Sequence, residues 1–416
     1  MTVGIEDMNA FVGSAFVNVQ KLAEHRGLEG NRLRKLLVDQ KSIAMPDEDP
    51  VTFAVNAAKP IINALSEKER NSIELVITGS ESSFDFGKSL STYVHDLLGL
   101  NRNCRLFEIK NACYSGVAGL QMAVNTVLSK CSPGGKALVV AADISRFVLD
   151  RGVAADEQEW AYAEPTGGAG AVAMLIGDEP RVLSIDVGAS GCYGFEVMDT
   201  CRPTLDSDSG DPDLSLLSYL ECCEKSFLEY CNRVDDVNYK DTFKFLSFHT
   251  PFGGMVKGAH RNMSRKFLEL SKAEVEEDFQ RRVAPGLEYC KRTGNMMGAT
   301  TMYNVLSTIE NGEFDAPERI GVFSYGSGCC SEFFSGVVSE EAPSRIGRHQ
   351  LLNGLESRHQ LSMQEYDAVL SSNAKIKFGT KDLQTGEALE GLPKRHRKGE
   401  IRLKEIKDFH RCYEWC

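Results

Sequence analysis

The stretch "CRLFEIKNA" (104–112) reads as a strand, and "GVAGLQMAVNTVLSK" (116–130) reads as a helix of small and apolar residues; Cys113 stands between them, followed at once by Tyr-Ser-Gly. An unperturbed thiol has a pKa near 8.5, so only a few per cent is thiolate at neutral pH. A helix start would favour the anion, because its unpaired N–H groups and dipole point at the sulfur. The same position suits a buried thiol acting as a small hydrophobe. The segment alone leaves both readings open.

A nucleophilic cysteine needs a base or an electrophilic partner. His249 ends the apolar run "FKFLSFHTP" (243–251) just before Phe-Gly-Gly. Pro251 cannot continue a ladder and the glycines demand a loop. The imidazole therefore falls at a strand end, where open α/β folds keep their sites, unless it is a hydrogen-bonded core histidine. The other seven histidines (His25, His95, His260, His349, His359, His396 and His410) lie in polar, helical or tail contexts, and surface positions are expected for them. Glu81 follows the strand-like "IELVITG" (73–79). Neighbouring Ser and Asp residues supply caps without it, and a carboxylate in a dry pocket could shuttle a proton. Asn295 in "GNMMG" and Ser327 in "SYGSG" are either turn formers or donors to a carbonyl or oxyanion.

These residues need elements to position them. "KALVVAADI" (136–144) and "GAGAVAMLIGD" (168–178) read as buried strands, and "GKSLSTYVHDLLGL" (87–100) as a helix. Near-continuous apolar strands alternating with helices imply an α/β protein whose sheet is covered on both faces. The second part echoes the first: a strand ending at His249, a small-residue helix over "GNMMGATTMYNVLSTIE" (294–310), and a strand "RIGVFSYGSG" (319–328). "DSDSGDPD" (206–213) reads as a surface turn, and the charged tail from about 340 as a decoration of the fold.

The 416 residues, 42% hydrophobic and 25% charged, fit a globular protein with a large core. The opening "MTVGIEDMNAFVG" lacks a signal peptide's pattern, and no apolar run reaches the roughly 18 residues that span a bilayer; a cytoplasmic location is the expectation. The thirteen cysteines form neither a CxxC pair nor a zinc-spaced cluster, which fits reduced thiols and no metal. A net charge of −12 without a basic stripe argues against nucleic acid. "PTGGAGAV" (165–172) lacks GxGxxG and "SPGGKA" (132–137) lacks the first glycine of a P-loop, so neither nucleotide motif is supported.

"GSE", "NACYSG", "PTGGAGAVAMLIG", "FHTPFGG", "GNMMGA" and "FSYGSG" occur in one order. In this the chain resembles 3-hydroxy-3-methylglutaryl-CoA (HMG-CoA) synthases of the thiolase superfamily, from "MTVGIEDMNAFV" to "EIKDFHRCYEW", and is most similar to the branch that works in bacterial polyketide β-branching. The resemblance implies a thiolase-like five-layered αβαβα fold made of two similar halves, 1–178 with Glu81 and Cys113 and 179–416 with His249, Asn295 and Ser327, in a homodimer. It implies that Cys113 takes an acetyl group, Glu81 is the general acid and base, and His249 engages the acceptor's oxygen. Asn295, Ser327 and Asp199 in "VMDTCRP" would help bind substrate. No cofactor is implied beyond the phosphopantetheine thioester of a donor or acceptor acyl carrier protein, or CoA. Two positions depart from the mevalonate-pathway enzymes: Gly254 stands where they carry a Lys, with Lys257 remaining as a substrate-binding candidate, and Phe147 stands where they carry a Tyr. Loss of the Lys weakens the case for free CoA. The rivals are a CoA-dependent synthase, a β-ketoacyl synthase III, which would not need Glu81, and a non-catalytic scaffold. Carrier proteins are generally acidic, as is this chain, so docking requires a local basic patch. The candidates are Arg32, Arg34 and Lys35, and, closer to His249 in sequence, Lys257, Arg261, Arg265 and Lys266.

Overall fold

The computed structural model describes residues 2–145, 163–204, 207–268, 270–376, 378–393 and 397–416. Phe147 and His396 lie outside the described residues, as does the first residue of the expected turn at 206–213.

Nine strands form the main sheet: β1 (Gly4–Phe11), β2 (Ile73–Gly79), β3 (Arg105–Ile109), β4 (Lys136–Ile144), β5 (Ala169–Gly177), β6 (Leu183–Gly194), β7 (Phe245–Phe248), β8 (Glu318–Gly326) and β9 (Cys330–Val338), in spatial order β7-β8-β9-β6-β1-β5-β4-β2-β3. The order divides where β1 meets β6, which pair through only Gly4–Ser184 and Ile5–Leu183. On one side β2 runs parallel to β4, β4 antiparallel to β5, and β5 antiparallel to β1. On the other, β7 runs parallel to β8, β8 antiparallel to β9, and β9 antiparallel to β6. The same pattern recurs, with β3 added only to the first set.

The helices relevant to the site are α1 (Val19–Arg26), α2 (Pro50–Asn63), α3 (Leu90–Leu97), α4 (Ser115–Ser129), α5 (Pro212–Arg233), α6 (Gly253–Phe267), α7 (Lys272–Arg282), α8 (Thr300–Asn311) and α9 (Met363–Asn373). Period-two alternation along the strands sorts their side chains into layers. From β4, Ala137, Val139 and Ala141 enter a central core with Leu120 of α4 and Leu306 of α8. Leu138, Val140 and Ala142 point the other way, against Val55 and Ile62 of α2 and Val94 of α3. Across the molecule, Phe323 of β8 and Phe333 of β9 pack on Tyr219 and Phe227 of α5 and Val256 of α6. The layers are therefore helix, sheet, helix, sheet, helix, the thiolase-like arrangement. Each apolar side chain so enclosed contributes roughly 1.5–3 kcal/mol relative to exposure.

The central helices begin against each other. A Cβ on Gly116 would stand 2.2 Å from the Gly298 carbonyl oxygen, so only glycine lets the two turns approach this closely. This contact sets the turn carrying Cys113 beside the turn carrying Asn295.

The structure changes three expectations. The helix expected over 294–310 is broken: a single 3-10 turn, Met297–Ala299, precedes α8, because the Asn295 side chain accepts hydrogen bonds from Met297 N at 2.9 Å and Thr300 Oγ1 at 2.8 Å. The expected turn at 206–213 is instead the strand Ser207–Gly210, paired antiparallel with Thr200–Thr204, followed by the start of α5. The tail does more than decorate, since it returns to the first residues of the chain. Leu361, Tyr366 and Val369 share a core with Val17, Leu22 and Ile43, and buried ion pairs join Arg402 to Asp47 and Arg411 to Asp49, each at 3.0 Å.

Candidate functional site

Cys113 follows Ala112, whose φ of +44° is left-handed and uncommon for a residue with a side chain. Hydrogen bonds from Tyr114 N to Asn111 O (3.1 Å) and from Ser115 N to Ala112 O (3.2 Å) close the turn. Strain of this kind persists only where the surroundings impose it, and it concentrates at functional sites. The thiol donates toward Glu81 Oε1 at 3.8 Å. A cavity of about 1230 Å³ is lined by Cys113, Glu81, His249, Asn295 and Ser327 together. Five side chains spread over 247 positions of the sequence thus meet in one space.

The expectation that the helix start favours the thiolate is corrected. Burial pushes the Cys113 thiol well above its ordinary range, and the Glu81 and Asp143 carboxylates add to it. Arg202 and the Asn295 side chain oppose the shift. The sulfur sits ahead of α4, at the position before the Tyr114 cap, and it faces carboxylates as well as the helix.

His249 is 1% exposed. Its backbone is held on both sides: its N–H donates to Phe323 O at 2.7 Å, and its carbonyl accepts from the Tyr219 hydroxyl at 2.6 Å. Burial pushes the imidazole pKa down to about 3, so the ring is neutral. Its Nδ1 is buried without a hydrogen-bond partner among the described residues. A neutral ring with spare hydrogen-bonding capacity can engage a substrate oxygen. Since Met297 and Thr300 saturate the Asn295 side-chain oxygen, its amide N–H₂ is left to face the Cys113 sulfur.

Two residues that sequence reasoning missed hold the site together. The Asp143 Oδ1 accepts from Ser80 Oγ (3.0 Å), Glu81 N (2.9 Å), Ser82 N (3.0 Å) and Ser82 Oγ (2.7 Å), while Oδ2 accepts from Gly298 N at 3.0 Å. One buried carboxylate thus ties the Glu81 loop to the Asn295 turn. Burial raises its pKa against those hydrogen bonds. An acid at the end of the apolar run "KALVVAADI" was a signal that could have found it. Arg202 donates to the Glu81 carbonyl at 3.0 Å and stands 4.0 Å from its carboxylate; nothing in its sequence context distinguished it. Asp143→Asn forces an NH₂ donor against N–H donors on one side. It is expected to lower unfolding free energy by about 1–3 kcal/mol and turnover by about tenfold or more. Unchanged denaturant midpoint and turnover would show that the link is dispensable.

Other candidates fall elsewhere. Asp199 does not line the cavity. It is fully buried, accepting from Tyr325 Oη at 2.6 Å and Gly328 N at 2.8 Å, so it holds the Ser327 turn from behind. Lys257 does not line that cavity either: it pairs with Glu276 at 2.8 Å and lines a second cavity of about 860 Å³. That second cavity brings Lys35 of the first basic cluster to the second, with Lys35, Lys257, Arg261, Arg265 and Lys272 against one carboxylate, Glu276. It lies across the first turns of α6 from the Cys113 cavity, since Met255 lines the one and Gly254 and Gly258 the other. Lys266 pairs with Glu224, and Arg32 and Arg34 lie on the short helix Gly30–Arg34 outside the lining. Gly254 cannot be a lysine here, because a Cβ would stand 2.0 Å from the Lys35 carbonyl oxygen. Surface positions fail for three histidines. His260 is fully buried against Asp278 at 3.2 Å, the His349 side chain is buried against Asp7 at 3.0 Å, and His95 is buried and bonded to the Asn101 carbonyl. Among the described residues no helix is long and apolar enough to cross a membrane.

Residues 1–181 match the family described as hydroxymethylglutaryl-coenzyme A synthase N terminal, and residues 257–414 match its C terminal counterpart. The chain is 55% identical, over all of its length and 99% of the relative's, to the polyketide biosynthesis 3-hydroxy-3-methylglutaryl-ACP synthase PksG of Bacillus subtilis. It is 34% identical to the hydroxymethylglutaryl-CoA synthase of Enterococcus faecalis over 89% of this chain and 92% of that one. The crystal structure of the curacin biosynthetic pathway HMG synthase in complex with apo donor-ACP superposes with a TM-score of 0.93 at 52% identity, covering both chains fully. With family patterns matched at both ends and relatives aligned along its whole length, the chain belongs to the hydroxymethylglutaryl-CoA synthase family.

Proposed function

We propose that this protein is the carrier-protein form of the family's condensing acyltransferase. Acetyl passes from the phosphopantetheine thiol of a donor acyl carrier protein to Cys113, and the departing thiolate takes up a proton. Glu81 removes a proton from the acetyl methyl group, the enolate adds to the β-carbonyl of a β-ketoacyl chain on an acceptor carrier protein, and Glu81 returns the proton to the alkoxide so formed. His249 orients that oxygen, and Asn295 with the Ser327 turn holds the carbonyls. Water then hydrolyses the Cys113 thioester, leaving a 3-hydroxy-3-carboxymethyl acyl chain on its carrier. These steps use the chain's own groups and call for no metal or redox cofactor. The observation that carries the reading is the Cys113–Glu81 contact at 3.8 Å in a cavity that also takes in His249 and Asn295.

The choice of carrier protein over CoA is supported by the basic cavity beside the site, by a 55% identical relative named as an ACP synthase, and by a 52% identical HMG synthase solved in complex with a donor-ACP. The halves 1–178 and 179–416 are supported by the repeated strand pattern, although the tail packs back on the first of them. A cytoplasmic homodimer completes the reading, and the open sheet edge at β3, with Phe107 exposed, supports pairing with a second copy.

The test compares acetyl loading of Cys113 from acetyl carrier protein, acetyl-CoA and acetyl-pantetheine. Faster loading from the carrier protein is expected, whereas equal or faster loading from acetyl-CoA would favour the CoA-dependent enzyme. Charge reversal at Arg261 or Arg265 should lower the carrier-to-pantetheine rate ratio by about tenfold or more. Added salt should lower the same ratio, since the screening length is about 8–10 Å near physiological salt. An unchanged ratio would show that these residues serve the fold or the chemistry instead.

A further inference from the structure

A buried carboxylate that the chemistry does not use stands behind the cavity wall. Glu164 is 2% exposed. Its carboxylate accepts from Arg26 Nε at 3.0 Å and Nη2 at 3.1 Å, and from the Tyr366 hydroxyl at 3.0 Å. Its carbonyl accepts from Lys41, which is 1% exposed. Three side chains from three segments, α1, α9 and the strand Gln40–Ile43, therefore converge on one residue. Burying charges is costly unless they are paired and hydrogen-bonded. Here the charges fix a short piece of chain rather than fill a core.

That piece is the turn 163–167. Thr166 N and Gly167 N both donate to the Ala163 carbonyl, and Ala163, Thr166 and Gly167 line the Cys113 cavity. Its far end is bonded twice to Asn295: Asn295 N donates to Thr166 O at 2.7 Å, and Gly168 N donates to Asn295 O at 2.8 Å. The Asn295 side chain is fixed in turn by Met297 and Thr300, which aims its amide at Cys113. An unbroken path thus runs from the tail helix α9 to the group that faces the nucleophile.

We propose that Glu164 is a positioning residue for the condensation: held by Arg26 and Tyr366, it fixes the turn 163–167 and through it the aim of Asn295, making the C-terminal segment a working part of the active site. The inference rests on the function proposed above. Misaiming a group that holds a reacting carbonyl lowers the rate of the bound complex more than its affinity.

The test is a double-mutant cycle with Glu164→Gln, which keeps the shape and removes the charge, and Asn295→Ala. Condensation is followed from acetylated enzyme with an acetoacetyl carrier protein as acceptor. Glu164→Gln is expected to lower kcat about tenfold with KM within about twofold, and to lower it no further when Asn295 is already alanine. A merely structural Glu164 would lower the melting temperature equally in both backgrounds and cut kcat by the same factor in each. That result, or a wild-type kcat in Glu164→Gln, overturns the proposal. If Glu164→Gln does not fold, Tyr366→Phe removes a single bond from the same carboxylate, and the cycle is read with it: about threefold alone and none beside Asn295→Ala, with equal factors overturning the proposal. Wild-type enzyme that neither acetylates nor condenses would defeat the proposed function itself, a separate outcome.

Discussion

Cys113→Ser is expected to abolish acetyl loading, with intact-mass spectrometry after incubation with an acetyl donor showing no adduct. The fall should be on the order of 10⁴-fold or more, the scale seen when a covalent nucleophile is removed. Thiols attack well because a few per cent is ionised at pH 7 and the thiolate is intrinsically very nucleophilic. Here burial and the Glu81 and Asp143 carboxylates push the thiol up, while Arg202 and Asn295 pull against them. A serine hydroxyl is far less acidic than a thiol, so the same surroundings would leave almost none of it ionised. His249 does not rescue the serine as a base. Its pKa near 3 leaves it a weak proton acceptor, and the thiol's observed neighbour is Glu81. The twelve other cysteines, all free thiols, supply the internal control. Cys222, Cys223 and Cys290 are buried, and burial raises their thiols as it does that of Cys113, but none of the three lines the Cys113 cavity. An adduct that forms on the serine variant at the wild-type rate, or that maps to another cysteine, would remove Cys113 from its role.

Much of the frame around Cys113 was legible, because strands enclosed on both faces are written as unbroken apolar runs. The runs 73–79 and 136–144 coincide with β2 and β4 to the residue. Cys113, Glu81, His249, Asn295 and Ser327 stood out as polar residues at the ends of such runs or on Gly-rich turns, and the structure brings all five to one cavity. What was not legible depends on long-range pairing. Asp143 and Asp199 are both buried acids, but whether an acid binds substrate or holds the turn that does is decided by which backbone N–H groups reach it, here those of Glu81 and Gly298 for one and of Gly328 for the other. His260 reads as a surface residue on a polar helix until α7 supplies Asp278. Glu164 and Tyr366 are 202 positions apart, and no local pattern announces that a charged tail will close over the opposite end of the chain. Lys257 stands out as the lysine that remains where Gly254 takes the place of the family's Lys, yet sequence alone does not show that successive residues of α6 face different cavities.

Glu81→Ala separates the two half-reactions. The variant is expected to acetylate Cys113 yet fail to form the carbon–carbon bond, with condensation reduced by about 10²–10⁴-fold, the usual contribution of a positioned acid or base. Retained loading follows from the electrostatics of the pair. The Glu81 charge is one of the groups pushing the Cys113 thiol up, so removing it makes the thiolate easier to form, while the Asn295 amide that faces the sulfur is untouched. Condensation has no such relief. A methyl proton next to a thioester must be removed, and Glu81 is the carboxylate in contact with the Cys113 sulfur, the proposed carrier of the acetyl group. Asp143 is no substitute, since its two oxygens are occupied by five hydrogen bonds and it is fully buried. Arg202, 4.0 Å from the Glu81 carboxylate and bonded to its carbonyl, keeps that carboxylate at the cavity instead of folded into a helix cap. The measurement is a pulse of acetyl donor followed by acceptor, with the enzyme's mass and the product thioester read separately. The expected result is acetyl-enzyme that persists in the presence of acceptor. Normal condensation by Glu81→Ala would reduce Glu81 to a loop residue and leave the proton to another group. Loss of loading as well as condensation would instead make Glu81 the base for the thiol.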